Sequence, residues 1–391
     1  MSNLGAPESV FEAFIEQLQR YVRDRLLPAE KAAVELNRVP DEIRAEMAEM
    51  GLFGATIPEE YGGSGFNVRQ YMRFVEELSW AMPAFRSIIS INIGMTGSGI
   101  ANAGTEDQKR EWLPRLAAGE VACFALTEPD SGSDAAALVT RAVRDGDDYI
   151  LNGTKRYISN APFASVAMVL ARTTQENLPS HGHISAFLVP MNTPGVTVGA
   201  PDKKMGQAGS QIADIVFEDA RIPASSLLGG KEGTGFRDAM RSLDNGRLSV
   251  SAASIGYAKR ILNYALQYAT ERKAFGETIS NFQLIQAMLA DSEAEIYAAE
   301  CMLKDASERA DAGERISKHA ACAKMFASEM CGRVADRCVQ ILGGAGYLAE
   351  YDAERFFRDV RIYRIYEGTT QIQQLIIAKH MLREFANANS L

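Results

Sequence analysis

Apolar residues recur at helical three-and-four spacing from Glu8 to about Gly119, first at Phe11, Phe14, Ile15 and Leu18, then at Met72, Phe74, Val75 and Leu78. Breaks fall at Pro40, Pro58 and Gly62-Gly63, so residues 1–119 are predicted as an N-terminal α-helical domain. Over 120–232 the texture changes to short β-rich runs: Val121 to Leu126, Tyr149 to Leu151, Val166 to Leu170 and Ile184 to Val189. Gly, Pro, Asn and Asp clusters separate them, and Asp145-Gly146 and Asn152-Gly153 read as hairpin turns of a small middle β domain. From 233 to 391 long stretches rich in Ala, Glu, Lys, Met and Leu return, broken at Gly276, Gly313 and Gly343-Gly344-Ala345-Gly346, which predicts a C-terminal helical bundle. No internal repeat is visible, so the α, β, α order describes one architecture with a β insert between helical halves.

Composition narrows the function classes. The chain is 47% hydrophobic and 23% charged, ordinary for a folded globular protein. Forty-one Lys and Arg stand against fifty Asp and Glu, with no basic stripe, which argues against a nucleic-acid partner. Five cysteines without CxxC spacing read as reduced thiols, and the polar, acidic start MSNLGAPESV lacks the marks of a signal or transit peptide, so the expected location is cytoplasmic. The uncharged run from Ser87 to Thr105 is long enough to span a bilayer, yet it carries Ser87, Ser90, Asn92, Thr96, Ser98 and Asn102. A buried wall is expected there, with no membrane span. His181 and His183 have no acid or thiol ligands nearby and read as solvated, so no metal is expected.

The segment richest in chemistry is Ile365-Tyr366-Glu367-Gly368-Thr369-Thr370-Gln371-Ile372-Gln373. Thr369 or Thr370 is a natural N-cap for the helical spacing that follows, which places Glu367 just before a helix start. A plain capping acid would look the same. What sets Glu367 apart is the apolar, tyrosine-rich run Ile362, Tyr363, Ile365 and Tyr366 before it, where desolvation would raise its pKa as a general base requires.

Five blocks, in order, make the chain resemble the acyl-CoA dehydrogenases over nearly its whole length. They are Gly51-Leu52-Phe53-Gly54 with Pro58-Glu59-Glu60-Tyr61-Gly62-Gly63; Leu126-Thr127-Glu128-Pro129-Asp130-Ser131-Gly132-Ser133-Asp134; Glu271-Arg272-Lys273-Ala274-Phe275-Gly276; Gln340-Ile341-Leu342-Gly343-Gly344; and Tyr366-Glu367-Gly368-Thr369. The resemblance implies the acyl-CoA dehydrogenase fold: an N-terminal α-helical domain, a middle β-barrel or β-sandwich domain and a C-terminal four-helix bundle. It also implies FAD, an acyl-CoA thioester desaturated between its α and β carbons, and an electron-transferring flavoprotein as electron acceptor. Glu367 would then remove the α proton while the β hydride goes to flavin N5.

The same resemblance assigns further residues. Phe124, Leu126, Thr127, Gly132 and Ser133 match the flavin loop, with Ser133 also near the CoA. Tyr157, Ile158 and Ser159 match a block in which Trp is commoner than Tyr. Arg272, Phe275 and Gln283 match FAD-binding positions, as do Thr369 and Gln371. Gln340, Gly343 and Gly344 would reach the adenosine half from a neighbouring subunit, which implies an oligomer, the family's tetramer. Asp244 and Arg247, with Tyr366 and Gly368, fall on the substrate side. Asp244-Asn245-Gly246-Arg247 is read as the opening of a long helix that in some branches carries the base directly before the Arg. Gly246 stands there and cannot take a proton.

Arg86 departs from the straight-chain pattern. Phe85-Arg86-Ser87 looks like the glutaryl-CoA dehydrogenase branch, where the Arg binds the substrate's distal carboxylate, but the acid that branch carries seven positions earlier is Ser79 here. The segment Thr370-Gln371-Ile372-Gln373 is closer to straight-chain members. A short- or medium-chain substrate, a carboxylated one clamped by Arg86, and an Arg86 paired with Glu76 or Glu77 therefore all stand, beside a non-catalytic protein of the same fold and an oxidase.

Overall fold

The structure is a computed structural model that describes residues 5–173 and 180–389. Seven helices come first: α1 (Glu8–Tyr21), α2 (Leu27–Leu36), α3 (Asp41–Glu49), α4 (Val68–Leu78), α5 (Pro83–Ile89), α6 (Ser98–Ala103) and α7 (Glu106–Ala117). Their starts are chemically marked. Asn67 and Gln70 form a reciprocal capping box on α4, as Thr105 and Gln108 do on α7. The spacing of Phe11, Ile15 and Leu18 buries one stripe of α1, and Tyr71, Phe74, Val75 and Leu78 bury the inner face of α4.

The uncharged run is a buried wall made of the end of α5, a π-helical segment Ser90–Gly97, and α6. Its polar residues stitch this wall to the sheet. Asn92 donates to Glu120 O at 3.0 Å and accepts from Ala122 N at 2.7 Å, and Thr96 donates to Cys123 O at 3.1 Å. No helix among the described residues is long and apolar enough to cross a membrane.

The middle region is one curled, mixed sheet of seven strands: β1 (Ala122–Ala125), β2 (Arg141–Asp145), β3 (Asp148–Ser159), β4 (Val166–Thr173), β5 (Ile184–Pro190), β6 (Val196–Val198) and β7 (Ile212–Pro223). The order is β1-β4-β2-β3-β7-β6, with β5 on the other edge of β4. One face carries its own core of Tyr149, Leu151, Phe187 and Phe217, while Met168 and Leu188 on the other face join the helical core. Burial on both faces explains why β4 and β5 read as continuous apolar runs instead of alternating.

Asp145-Gly146 does turn β2 into β3. Asn152-Gly153 does not turn the chain: it is a bulge inside β3, where Gly153 takes φ +147° and a Cβ would lie 2.5 Å from Thr140 Oγ1. The close approach of β2's flank, not a reversal, demands the glycine.

The chain closes with α8 (Gly235–Glu271), a two-residue ladder of β8 (Lys273–Ala274) and β9 (Glu277–Thr278), and then α9 (Gln283–Asp311), α10 (Ser317–Leu342), α11 (Asp352–Val360) and α12 (Thr370–Ala388). Because α8 starts at Gly235, Asp244 to Arg247 lie inside it and do not open it. The buried stripe from Gly246 to Ala258 outweighs the helix-breaking look of Asp-Asn-Gly.

Candidate active site

Glu367 stands in the short connection between α11 and α12, with φ +55°, followed by Gly368 at φ +89°. Thr369 caps α12, accepting from Ile372 N at 3.2 Å. The left-handed turn lifts the Glu367 side chain off the helix axis, so it is not a capping acid. Its Oε2 is sealed from solvent and has no hydrogen-bond partner. Burial pushes the carboxyl pKa up, against the pull of Arg247, Arg86 and Lys324. The Glu367 N–H also lacks an acceptor among the described residues.

Two cavities meet at this carboxylate. One, of about 270 Å³, runs between the π-helical wall and α8, past Arg86, Met95, Gly246 and Val250. The other, of about 630 Å³, lies between the sheet and the segment Arg358 to Thr369. Thr127, Gly132, Ser133, Tyr157, Ser159, Tyr366, Glu367 and Gly368 border both, and Phe124, Leu126 and Ile158 border the first. Thr369 borders the second. Gly246 makes the space for this carboxylate: a Cβ there would sit 2.5 Å from Glu367 Oε2.

A buried ion pair fixes the loop that carries Leu126 and Thr127. Lys155 bonds Glu128 at 2.7 Å and Leu126 O at 3.1 Å, Glu128 also accepts from Thr140 N at 3.0 Å, and Arg156 N bonds Thr127 O at 2.8 Å. Burial pulls the Lys155 ammonium down to about 8 while Glu128 supports it, so it stays charged at neutral pH. Lys155→Met would strand Glu128 inside the sheet. The expected loss is about 3–5 kcal/mol of stability, read as a lower Tm.

Arg86 is 4% exposed, and its Nη2 donates to Tyr366 OH at 2.8 Å. It pairs with neither candidate acid: Glu76 binds Lys259 at 2.6 Å and Glu77 binds Arg73 at 2.8 Å. Its Nε has no partner, and the hydroxyls of Tyr71, Ser90 and Ser249, the two serines close to Tyr71, border the same cavity. Arg247 pairs with Asp244, whose other oxygen accepts from Ser317 at 2.6 Å.

Other positions lie away from both cavities. Arg272, Phe275, Gln283, Gln340, Gly343, Gly344 and Gln371 are exposed and border neither. Two residues that sequence reasoning passed over are Gln373, which donates to the carbonyls of Glu367 and Gly368 at 3.0 and 2.9 Å, and Lys324, which donates to Gly368 O at 2.7 Å. Lys324 could have been noticed as a cation in the buried stripe Ala320, Ala323, Ala327 and Cys331 of α10.

Family models for the N-terminal, middle and C-terminal domains of acyl-CoA dehydrogenase match residues 10–120, 123–220 and 233–382. The chain belongs to the acyl-CoA dehydrogenase family. It is therefore an oxidoreductase of the class acting on CH–CH bonds. It is 42% identical over 341 residues to the short-chain specific acyl-CoA dehydrogenase, mitochondrial, of Homo sapiens, covering 87% of this chain and 82% of that one. It is 39% identical over 351 residues to the Caffeyl-CoA reductase-Etf complex subunit CarC of Acetobacterium woodii, covering 90% and 92%. A glutaryl-CoA dehydrogenase from Mycobacterium smegmatis, solved in complex with FADH2, superimposes with a TM-score of 0.89 at 32% identity, covering 95% of this chain and 94% of that one.

Proposed function

We propose that this enzyme desaturates an acyl-CoA thioester between its α and β carbons, with Glu367 as the base that removes the α proton. The observation that carries the reading is a buried carboxylate oxygen with no partner, facing the point where two cavities join. A base must keep a lone pair free and hold a pKa above that of an ordinary carboxylate, and both conditions are met. The free N–H of Glu367 would donate to the thioester carbonyl, where charge develops as the proton leaves.

The larger cavity suits FAD by its donor set. Thr127, Ser133 and Ser159 offer hydroxyls beside the apolar faces of Tyr157, Ile212 and Ile362, as a ring system with one polar and one apolar edge requires. Bound FAD would supply the hydride acceptor. Gly132 and Thr369 would complete its walls, and Phe124, Leu126 and Ile158, which border the smaller cavity, would meet it where the two cavities join. The exposed Arg272, Phe275, Gln283, Gln340, Gly343, Gly344 and Gln371 would hold the rest of it between copies of a tetramer. Asp244, Arg247, Tyr366 and Gly368 would border the CoA thioester. Electrons would leave to an electron-transferring flavoprotein, in a cytoplasmic setting that suits five free cysteines.

The test is the visible spectrum of the FAD-loaded protein mixed without oxygen with butyryl-, octanoyl-, isovaleryl- and glutaryl-CoA in turn. Bleaching by one of them supports the reading. Retained flavin that none of them bleaches would favour a non-catalytic role.

A second reading, a substrate with a distal carboxylate, is favoured by Arg86. A buried guanidinium without an acid leaves its Nε unsatisfied, at about 1–3 kcal/mol. A carboxylate at the chain's end would satisfy it. Arg86→Met is then expected to lower kcat/KM for glutaryl-CoA by about 10²–10³-fold while butyryl-CoA turnover changes little. Equal losses on both substrates would make Arg86 a support for Tyr366 instead.

A further inference from the structure

The base explains the cavities but leaves Lys324 unexplained. Its side chain is fully buried in α10, and its ammonium makes no salt bridge among the described residues. Burying a cation without a counter-ion is strongly unfavourable unless nearby charge and hydrogen bonds compensate. Two acids act on it, Glu367 and Glu329. Glu329, on the same helix, already accepts from Thr370 Oγ1 at 2.7 Å and Arg364 Nη1 at 3.2 Å. Glu367 is the acid near Lys324 that has an oxygen to spare.

The geometry places the ammonium one carbonyl away from that acid. Lys324 Nζ holds Gly368 O, and Gln373 Nε2 holds the same oxygen together with Glu367 O. These bonds pin two consecutive left-handed residues, of which Glu367 is not glycine and adopts φ +55° only under constraint. A direct ion pair would occupy the lone pair that must take the proton. A cation held on the neighbouring peptide stabilises the carboxylate and leaves it free.

We propose that Lys324 is a positioning residue for the reaction: through the Gly368 carbonyl it fixes the Glu367 turn, and it supplies a buried positive charge that keeps the base ionised without binding it. The proposal rests on Glu367 being the base. Burial pulls the Lys324 ammonium down to about 8, with Glu367 working against that, so it is charged at neutral pH. The other charges facing Glu367 are Arg247 from α8 and Arg86 from α5, and neither changes in the test.

The test compares Lys324→Met and Lys324→Gln with the parent, all FAD-loaded, using whichever of butyryl-CoA and glutaryl-CoA reduces the parent faster. Anaerobic flavin bleaching is followed against pH, with KM and Tm measured alongside. Lys324→Met should lower kcat by about 10–100-fold with KM nearly constant, and should move the acid limb of the rate profile up by about one pH unit. Lys324→Gln, which keeps a donor for Gly368 O, should recover part of the rate while keeping the shifted limb. A ¹³C-carboxyl titration of Glu367, assigned by its disappearance in Glu367→Gln, should show the same upward move even in an inactive variant. An unmoved limb and an unmoved titration, whatever the Tm, would overturn the role of Lys324. If Glu367→Gln bleaches at the parent's rate, the base assignment itself falls; if it is dead while the Lys324 variants titrate as the parent does, only this inference falls.

Discussion

Glu367→Gln should keep the yellow flavin and lose its bleaching by acyl-CoA, with reduction slowed about 10³–10⁴-fold. The amide fills the same space and cannot accept the α proton. A second, less obvious effect has the opposite sign. Burial raises the Glu367 pKa in the folded protein, so the native state holds its proton over a window in which the unfolded chain has already lost it. The stability associated with the protonated carboxyl is complete below the unfolded pKa and lost as pH rises through the raised folded value. Gln removes that loss, so Tm at pH 7 should exceed the parent's by about 1–2 °C and match it near pH 4. Substrate-driven bleaching at the parent's rate would remove Glu367 from the chemistry.

Gly246→Ala is expected to cost the enzyme about 10²-fold in kcat while leaving it folded. The added Cβ would lie 2.5 Å from Glu367 Oε2 and 3.3 Å from Met95 Sδ, so the carboxylate must move, and displacements near 1 Å carry penalties of that order. Helix propensity alone favours Ala here by about 1 kcal/mol, since Gly246 lies in the interior of α8 with ordinary helical φ. The glycine is thus explained by the neighbouring carboxylate and not by its own backbone. Steady-state kinetics beside a melting curve will decide: an unchanged kcat would mean the base works from another rotamer.

The helical halves were legible because burial there repeats with the helical period, and the α12 start because Thr369 caps it as its chemistry suggests. Glu367 was legible through its tyrosine-rich approach. Its orphaned oxygen was not, since that depends on Gly246, which meets it only in space. Lys324 and Gln373 escaped notice because long polar side chains in helices normally reach solvent, and only packing shows these two turned inward. Asn152-Gly153 misled for the reverse reason. A local turn signal was satisfied by a bulge, because β3 runs on to pair with β7. Arg86 gave three readings from sequence, and the structure removes the pairing with Glu76 or Glu77 by giving both acids other partners.

Arg86 and Tyr366 touch across 280 positions of chain, and the hydroxyl-bearing Thr127 loop faces a carboxylate delivered by the connection into the final helix. Contacts of such long range form late, because closing large loops comes before any reward from them. A chain made from its N-terminus therefore presents the Thr127 loop well before the segment that carries Glu367 has been made. The site is completed only when the last helices dock, so a chain cut short before Glu367 has the Thr127 loop without the carboxylate it faces.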